Sequence, residues 1–419
     1  MKKRVSCLLL GLLLTSTALA QVAAAQETTP ESTEVEVTAE ATPVFARYTV
    51  VEGDTLGNIA FRYHTTSMAI LRANNLSDPD LIYFGTVLLI PVGQTSVPAA
   101  TAAPTATAVP TQIPTLVPIP SIGFELGGEI VALAHLDTLS STGMTWARLR
   151  QHWGAGDTTA SIERIITRLH EAGLKVLLEI DGAAPNANPN LALYYANFAS
   201  YLGEVAALAP DAIEVWSGMN VEQEWAHGLN DADTYSDLLR TAYTAIKRAN
   251  PGVLVISGAL AAGEDNAGYL DGLAGAGAGQ YADCIGMGYT QGALPPDATE
   301  GDARGDEFSY YFPLVIATYA HYFPDKPLCL TEVGYLVVGN LPLATRYDWA
   351  ENTTPELRAE WLAQAATIAR NLGRVRLFMV YNVDAAVGSP DDPQANYAIL
   401  SAEGACLACA MLLPLSSVG

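Results

Sequence analysis

The chain has 419 residues, half of them hydrophobic and 16% charged, which suits one large domain accompanied by a smaller module. The formal net charge is −23 and no basic cluster occurs. Nucleic acid is therefore excluded as an expected partner, because phosphate binding needs clustered lysine and arginine. The acidic balance otherwise indicates solubility and says little more about function.

The N-terminal segment 1–25 has the pattern of a bacterial secretory signal. Basic residues at 2–4 precede an apolar stretch at 8–14 and the small-residue site Ala18–Ala20. Cleavage after Ala20 or after Ala25 fits the pattern. The apolar stretch is too short to span ~30 Å of hydrocarbon, which disfavours a retained anchor. We therefore expect a secreted or cell-wall-associated protein without membrane insertion after signal removal.

Two low-complexity segments divide the rest of the chain. Residues 26–46 are acidic, rich in threonine and without periodicity, and they are predicted to be disordered. Residues 93–120 carry proline every few positions among threonine and alanine, which favours an extended, semi-rigid tether. This tether separates a small module at 47–92 from a large domain at 121–419.

The small module shows a βααβ pattern. A strand is predicted at Tyr48–Val51, a first helix follows the turn at 52–54, a second helix covers Ser67–Asn74, and Thr86–Pro91 is a closing strand. The motif YTVxxGDTLxxIA…NNLxDPxLIYxGxxLxIP, read from these residues, resembles a LysM domain over nearly the whole module.

The resemblance to LysM implies binding of glycans that contain N-acetylglucosamine, such as peptidoglycan or chitin. It places the groove between two facing turns. The residues carried over are Gly53, Asp54, Thr55, Leu56, Asp80, Leu81, Ile82 and Tyr83. The alternative is that Leu81 and Ile82 only close a miniature core.

The large domain alternates strand-like and helix-like segments. Eight strands are predicted, at 122–126, 146–150, 176–180, 213–216, 253–257, 284–289, 328–332 and 376–381. Amphipathic helical patterns such as SIERIITRLHEAGL separate most of them. The fold class predicted is α/β, a (β/α)8 TIM barrel, with the small βααβ module on its tether. No GxGxxG follows a strand, which removes the main dinucleotide-binding alternative.

The carboxyl ends of barrel strands form the active site in this fold. The seventh predicted strand ends in Thr331–Gly334, a T-E-x-G pattern. Here the large domain resembles TIM-barrel retaining glycosidases, in which this glutamate is the nucleophile. The resemblance implies that Glu332 is the nucleophile candidate, since a carboxylate at this rim can attack an anomeric carbon. The alternative is that Glu332 caps a helix or forms a structural ion pair with Arg148.

The fourth strand departs from the same resemblance. Such glycosidases carry W-N-E-P-N there, and the glutamate is the acid/base. Aligned on Trp216, Asn220 and Trp225, the chain has Ser217 and then Gly218 in place of that Asn-Glu pair. The sixth strand also has Gly288 where a histidine is common. We therefore expect impaired hydrolysis, because loss of acid/base assistance costs about 10²–10⁴-fold.

Three other glutamates lie near the vacant position. Glu222 is the candidate for a displaced acid/base, although a shift of four residues moves a carboxylate by several ångströms. Glu224 is interpreted as solvated or structural. Glu214 has the parity of an inward-facing residue and is expected to form a buried ion pair with Arg148 or Arg150.

Several side chains are candidates for substrate binding at the rim. They are Arg148, Trp216, Asn220, Tyr289 and Tyr335, with Trp153 as a further aromatic that could stack on a sugar. For the aromatics, ordinary core packing is the equal alternative.

Four cysteines remain after signal removal, namely Cys284, Cys329, Cys406 and Cys409. They allow three pairings, and export to an oxidising compartment permits disulfides. A zinc site at Cys406 and Cys409 is disfavoured because no second pair or histidine lies close in sequence. No metal and no organic cofactor are expected.

The leading interpretation is an exported wall-associated protein that binds glycan through LysM and carries a glycosidase-like barrel with impaired hydrolysis. The first alternative is an active retaining glycoside hydrolase that uses Glu332 with a displaced acid. The second alternative is a barrel that serves as a scaffold for protein contacts.

Overall fold

The computed structural model describes residues 45–50, 86–91, 119, 123–182, 190–221, 224–225, 230–261, 266–338, 343–384, 393–401 and 404–416, with single positions between 59 and 76. Within that part of the chain, no helix combines the length and the apolar character needed to cross a membrane.

The small module is held by one antiparallel strand pair. Strands β1 (Phe45–Thr49) and β2 (Val87–Pro91) pair along their whole length. Asn74 fastens the segment before it to β2, because its Nδ2 donates to the carbonyl oxygens of Ile70 (2.7 Å) and Leu89 (2.8 Å) and its Oδ1 accepts from the Leu89 amide (2.7 Å). The buried core is small and consists of Val50, Ile59, Ile70, Leu88 and Ile90.

The large domain contains eight parallel strands. They are β3 (Glu125–Glu129), β4 (Trp146–Trp153), β5 (Lys175–Gly182), β6 (Ala212–Val215), β7 (Leu254–Ser257), β8 (Ile285–Tyr289), β9 (Leu328–Val333) and β10 (Val375–Val380). The strand order is β7-β6-β5-β4-β3-β10-β9-β8. A parallel bridge between Ile256 and Cys284 joins the two outer strands, so the sheet closes nearly into a barrel. The predicted TIM-barrel class is confirmed, with β6 as its fourth strand and β9 as its seventh.

Helices cover the outside of the barrel. They are α1 (Leu136–Ser141), α2 (Ala160–Glu171), α3 (Leu191–Ala207), α4 (Ala232–Ala249), α5 (Asn266–Gly275), α6 (Phe312–Tyr322), α7 (Pro355–Asn371), α8 (Gln394–Tyr397) and α9 (Leu407–Ser416). Short 3₁₀ turns lie at 133–135, 278–281, 308–310 and 345–350.

Local sequence explains where the main helices begin and which face they bury. Helix α2 buries Ile162, Ile166 and Leu169, which recur at the spacing of one helix face. The Asp231 side chain accepts the Thr234 amide at 2.8 Å and caps α4. Thr354 caps α7 in the same way, directly before a proline at the first helical position.

The first barrel strand begins and ends three residues later than predicted, at 125–129 instead of 122–126. Gly127 and Gly128, which follow the predicted strand in sequence, lie inside β3. A Cβ at Gly127 would approach the Trp146 Cβ to 2.5 Å, and one at Gly128 would approach Val383 to 2.5 Å. The glycines therefore permit close packing within the barrel. As a result the carboxyl end of this strand is Glu129.

Candidate active site at the barrel mouth

A fully buried arginine lies at the centre of the barrel. Arg148 on β4 has no exposed surface, and its Nε contacts Glu214 Oε2 at 3.0 Å while its Nη2 contacts Glu332 Oε1 at 2.9 Å. Its Nη1 bonds Glu129, and Glu179 lies 3.9 Å from Nη2. One guanidinium thus holds carboxylates from four other strands. Arg148 is placed to position Glu332, and its burial leaves it no direct contact with a ligand in solution.

A bulge in β9 aims Glu332 at the mouth. The register between β8 and β9 shifts between Met287 and Gly288, so that Gly288 lies opposite Glu332. The preceding residue, Thr331, also faces inward and donates to Glu214 Oε1 at 2.7 Å. Bulges of this kind re-aim side chains next to active sites. Glu332 therefore keeps 23% of its side chain exposed while its other oxygen contacts the buried guanidinium.

A second arginine lies one layer closer to solvent. The Nε of Arg150 contacts Glu179 at 2.8 Å and Asp181 at 3.1 Å, and its Nη2 contacts Glu224 at 3.4 Å. Burial lowers the pKa of Arg150, but the charges of Glu179 and Glu332 more than offset this and hold that pKa above its ordinary value. Arg150 therefore holds Glu179, Asp181 and Glu224 together at the mouth.

Two carboxyl groups at the mouth, Glu129 and Glu179, have raised pKa values because they are buried. Burial raises the pKa of Glu129 to about 7, against the opposing charge of Arg148. Burial likewise raises the pKa of Glu179 to about 8, against Arg150 and Arg148. Sites where environment separates the protonation states of neighbouring carboxyl groups are suited to acid–base chemistry.

Three aromatic residues expected at the sugar-binding surface lie in the core instead. Trp216, Tyr289 and Tyr335 are each at most 2% exposed, which leaves no ring face for a sugar. Tyr289 donates to the Tyr310 carbonyl at 3.1 Å, and the Tyr335 ring packs on Trp361 at 5.2 Å. The stacking expectation is wrong for these residues, because they pack between the barrel and its helices.

Trp153 and Asn220 also have structural roles. Trp153 is 6% exposed and packs its ring against Phe198 and two tyrosines of α3. The Asn220 amide donates to the Ala261 carbonyl (2.9 Å) and to Asn266 Oδ1 (2.9 Å), and its Oδ1 accepts from the Ala261 amide. Asn220 thus joins the loops after β6 and β7, and its predicted role in substrate binding stays a prediction.

Among the remaining candidates, the structure tests the prediction for Glu214 only. Glu214 forms the predicted buried ion pair with Arg148. The roles of the remaining candidates stay predictions, because these residues lie outside the part of the chain that the structure describes. They are Glu222 and the LysM residues Gly53, Asp54, Thr55, Leu56, Asp80, Leu81, Ile82 and Tyr83.

Half-buried aromatic side chains at the mouth were missed by the sequence interpretation. Tyr381 directly follows β10, and its amide donates to the Val333 carbonyl at 2.8 Å, next to Glu332. Burial raises the pKa of Tyr381, and the charges of Glu332 and Glu129 raise it further. The useful signal was its position, one residue beyond the carboxyl end of a barrel strand.

A second aromatic feature lies beyond β8. The Arg304 guanidinium is 4.0 Å from the centroid of Tyr310 and 4.4 Å from that of Trp349, and its Nη2 donates to the Gln291 carbonyl at 2.6 Å. Stacking of this kind fixes partly exposed rings. Both rings lie in loops that follow barrel strands, on the same side of the barrel as Glu332.

The cysteines form two disulfides. Cys284 pairs with Cys329 (Cα–Cα 5.8 Å) and Cys406 pairs with Cys409 (5.4 Å). The first joins β9 to the residue before β8 inside the barrel, and the second replaces the zinc alternative. In the described ranges no group of three or more His, Cys, Asp or Glu could hold a metal ion.

Residues 48–91 match the LysM domain family model. This range falls within the module predicted at 47–92. The match covers the small module alone, and it supports the general expectation of binding to polysaccharides that contain N-acetylglucosamine.

The barrel is similar to solved glycoside hydrolases. A family 39 glycoside hydrolase from the gut symbiont Bacteroides cellulosilyticus WH2 is 14% identical with a TM-score of 0.51, over 81% of this chain and 68% of that chain. A glucosidase from Croceicoccus marinus is 16% identical with a TM-score of 0.50, over 72% of this chain and 69% of that chain. At these identities the likeness shows the fold alone.

Proposed function

We propose that this protein is an exported, cell-wall-associated glycan-binding protein. Its LysM segment binds a polysaccharide that contains N-acetylglucosamine, such as peptidoglycan or chitin. The LysM match at 48–91, the two disulfides and the signal-like N-terminus support an extracytoplasmic setting.

For the barrel, we propose attack on a glycosidic bond by Glu332. One observation carries this proposal. Glu332 lies at the carboxyl end of the seventh barrel strand, re-aimed by a bulge, and it is held by a buried guanidinium while remaining partly exposed. A carboxylate fixed in this way meets the geometric demand on a nucleophile, which must lie close to the anomeric carbon before reaction.

The absence of a side chain at Gly288 leaves room for a ligand beside Glu332. A Cβ at Gly288 would lie 3.8 Å from Glu332 Oε2 and 3.7 Å from the Leu260 carbonyl oxygen, which are ordinary contact distances. The chain has Gly288 where the glycosidases that it resembles commonly carry histidine, and the glycine leaves the nucleophile candidate open on that side. Binding without cleavage remains the alternative that follows from Gly218.

Anchoring is tested with the full chain on insoluble polymers. The unaltered protein should pellet with peptidoglycan or with chitin and should remain in the supernatant with cellulose. The full-length variants Asp54→Ala and Tyr83→Ala should bind less, since these residues lie at the two predicted turns of the groove. Equal pelleting with all three polymers, or none with any, would remove the anchoring proposal.

Hydrolysis is tested on 2,4-dinitrophenyl glycosides of glucose, xylose and N-acetylglucosamine, because this leaving group needs little acid assistance. Turnover of at least one should be lost in Glu332→Gln and kept in Glu171→Gln, whose side chain is 61% exposed on α2. Absence of turnover by the unaltered protein would favour binding without cleavage or the protein-scaffold alternative.

A further inference from the structure

Gly218, which follows the fourth barrel strand, stands where the glycosidases that the barrel resembles carry the acid/base glutamate. The space beside it is filled by the side chain of Glu224. Gly218 has a φ of +76°, and a Cβ built there would lie 2.8 Å from Cγ, 3.2 Å from Cβ and 3.7 Å from Cδ of Glu224. The Glu224 side chain therefore fills the space in which a side chain at position 218 would begin. Gly218 and Glu224 are six positions apart in the sequence, but the fold brings them into contact.

Two buried tryptophans hold Glu224 at this place. The Trp216 Nε1 donates to the Glu224 carbonyl at 3.2 Å, and the Glu224 amide donates to the Val221 carbonyl at 3.2 Å. The next residue, Trp225, is fully buried and packs edge-on against Trp216 with ring centroids 4.5 Å apart. The chain is thus turned back over the end of β6 and fixed there, so that Trp216 positions Glu224.

The Glu224 carboxylate faces the same cluster as Glu332. It is 41% exposed and contacts Arg150 Nη2 at 3.4 Å. Arg150 contacts Glu179 at 2.8 Å, and Glu179 lies 3.9 Å from the Arg148 Nη2 that contacts Glu332. Strands β6 and β9 are not neighbours in the barrel, since two strands separate them on the β7–β8 side. A glycan bound between Glu224 and Glu332 would therefore meet the two carboxyl groups from different sides, as a retaining glycosidase requires.

We propose that Glu224 is the general acid/base of this barrel and replaces the glutamate that Gly218 lacks. The proposal rests on the proposed function, with Glu332 as nucleophile. In the first step a Glu332 oxygen bonds to the anomeric carbon, the glycosidic C–O bond breaks, and the Glu224 carboxyl gives its proton to the leaving oxygen. In the second step Glu224 takes a proton from water, the water oxygen bonds to the anomeric carbon, and the ester to Glu332 breaks.

The experiment compares leaving groups in the full-length protein. The probes are the 2,4-dinitrophenyl and 4-methylumbelliferyl glycosides of whichever sugar the unaltered protein accepts. Glu224→Gln should lower kcat/KM about 10²–10⁴-fold for the methylumbelliferyl glycoside, which needs a proton. Its kcat/KM for the dinitrophenyl glycoside should change less than tenfold. Sodium azide should accelerate Glu224→Ala and yield a glycosyl azide, because a small anion replaces the missing base.

Each outcome decides the proposal. A uniform loss for both leaving groups without azide rescue would assign Glu224 a structural role. Unaltered kinetics in Glu224→Gln, with activity still lost in Glu332→Gln, would overturn the assignment of Glu224 and leave the proposed function standing. The same leaving-group pattern in Glu222→Gln instead would transfer the role to Glu222. No turnover by the unaltered protein would overturn both proposals together.

Discussion

Removal of the buried guanidinium should destabilise the barrel strongly and in a pH-dependent manner. Arg148 contacts carboxyl groups on four strands, and it is fully buried. Arg148→Met leaves these groups without their partner, and loss of one member of a buried charge network costs about 3–5 kcal/mol. The cost should be largest near pH 8, and smaller near pH 5, because the uncompensated carboxyl groups then take up protons.

Urea unfolding followed by tryptophan fluorescence measures this effect. All six tryptophans lie at or beyond position 146, so the signal reports the barrel and not the LysM module. The control is Arg168→Met, which removes an exposed pair with Glu171 on α2 and should cost less than about 1 kcal/mol. A loss below about 1 kcal/mol in Arg148→Met, or a loss that is equal at both pH values, would refute the reasoning.

Three further predictions concern substitutions at Gly218, the removal of each disulfide, and the dependence of stability on pH. Gly218→Ala should destabilise the barrel by about 1–2 kcal/mol through its positive φ, which thermal unfolding checks. Gly218→Glu should lower turnover of the methylumbelliferyl glycoside, because the new side chain would displace Glu224 from the space that it fills, and glycoside assays check this. Replacing the Cys284–Cys329 pair by alanine opens a loop of 45 residues and should cost about 4 kcal/mol in urea unfolding, well above the cost of removing the Cys406–Cys409 pair, whose separation is 3. The raised pKa values of Glu129 (about 7) and Glu179 (about 8) mean that the folded state keeps protons which the unfolded chain releases above 4.5. Their contribution to stability should therefore fall as pH rises from 4.5 to 8. A difference in unfolding free energy between Glu129→Gln and the unaltered protein that stays constant over this pH range would contradict this.

Much of the fold could be predicted from sequence because the signals were local. The helices from Ala160 and Pro355 carry regular apolar spacing, and the second begins at a Thr354 cap. Seven barrel-strand predictions agree with the structure to within one residue at one end or both. The first strand was misplaced because Gly127 and Gly128 have low strand propensity. Their role depends on the close approach of Trp146 and Met379, which no local pattern reveals.

The site was harder to predict because its residues are brought together by tertiary contacts. Glu332 was found from a short motif at a strand end. Glu129 was missed because its strand was placed too early. Glu224, interpreted as solvated or structural, is 41% exposed and pairs with Arg150, and the turn over Gly218 brings it beside that glycine in a way that the sequence separation does not indicate. For Trp216 the sequence leaves sugar stacking and core packing as equal alternatives; its φ of +59° turns the chain at the end of β6, and its ring lies in the core.

The most direct test of the central claim is covalent trapping of the nucleophile. The full-length protein would be incubated with 2,4-dinitrophenyl 2-deoxy-2-fluoroglycosides of glucose and xylose, digested and examined by mass spectrometry. We expect the mass of one fluorosugar on the peptide that contains Glu332, and none in Glu332→Gln. Labelling at a different carboxylate, or no labelling of a protein that turns over the matching dinitrophenyl glycoside, would contradict the assignment of Glu332.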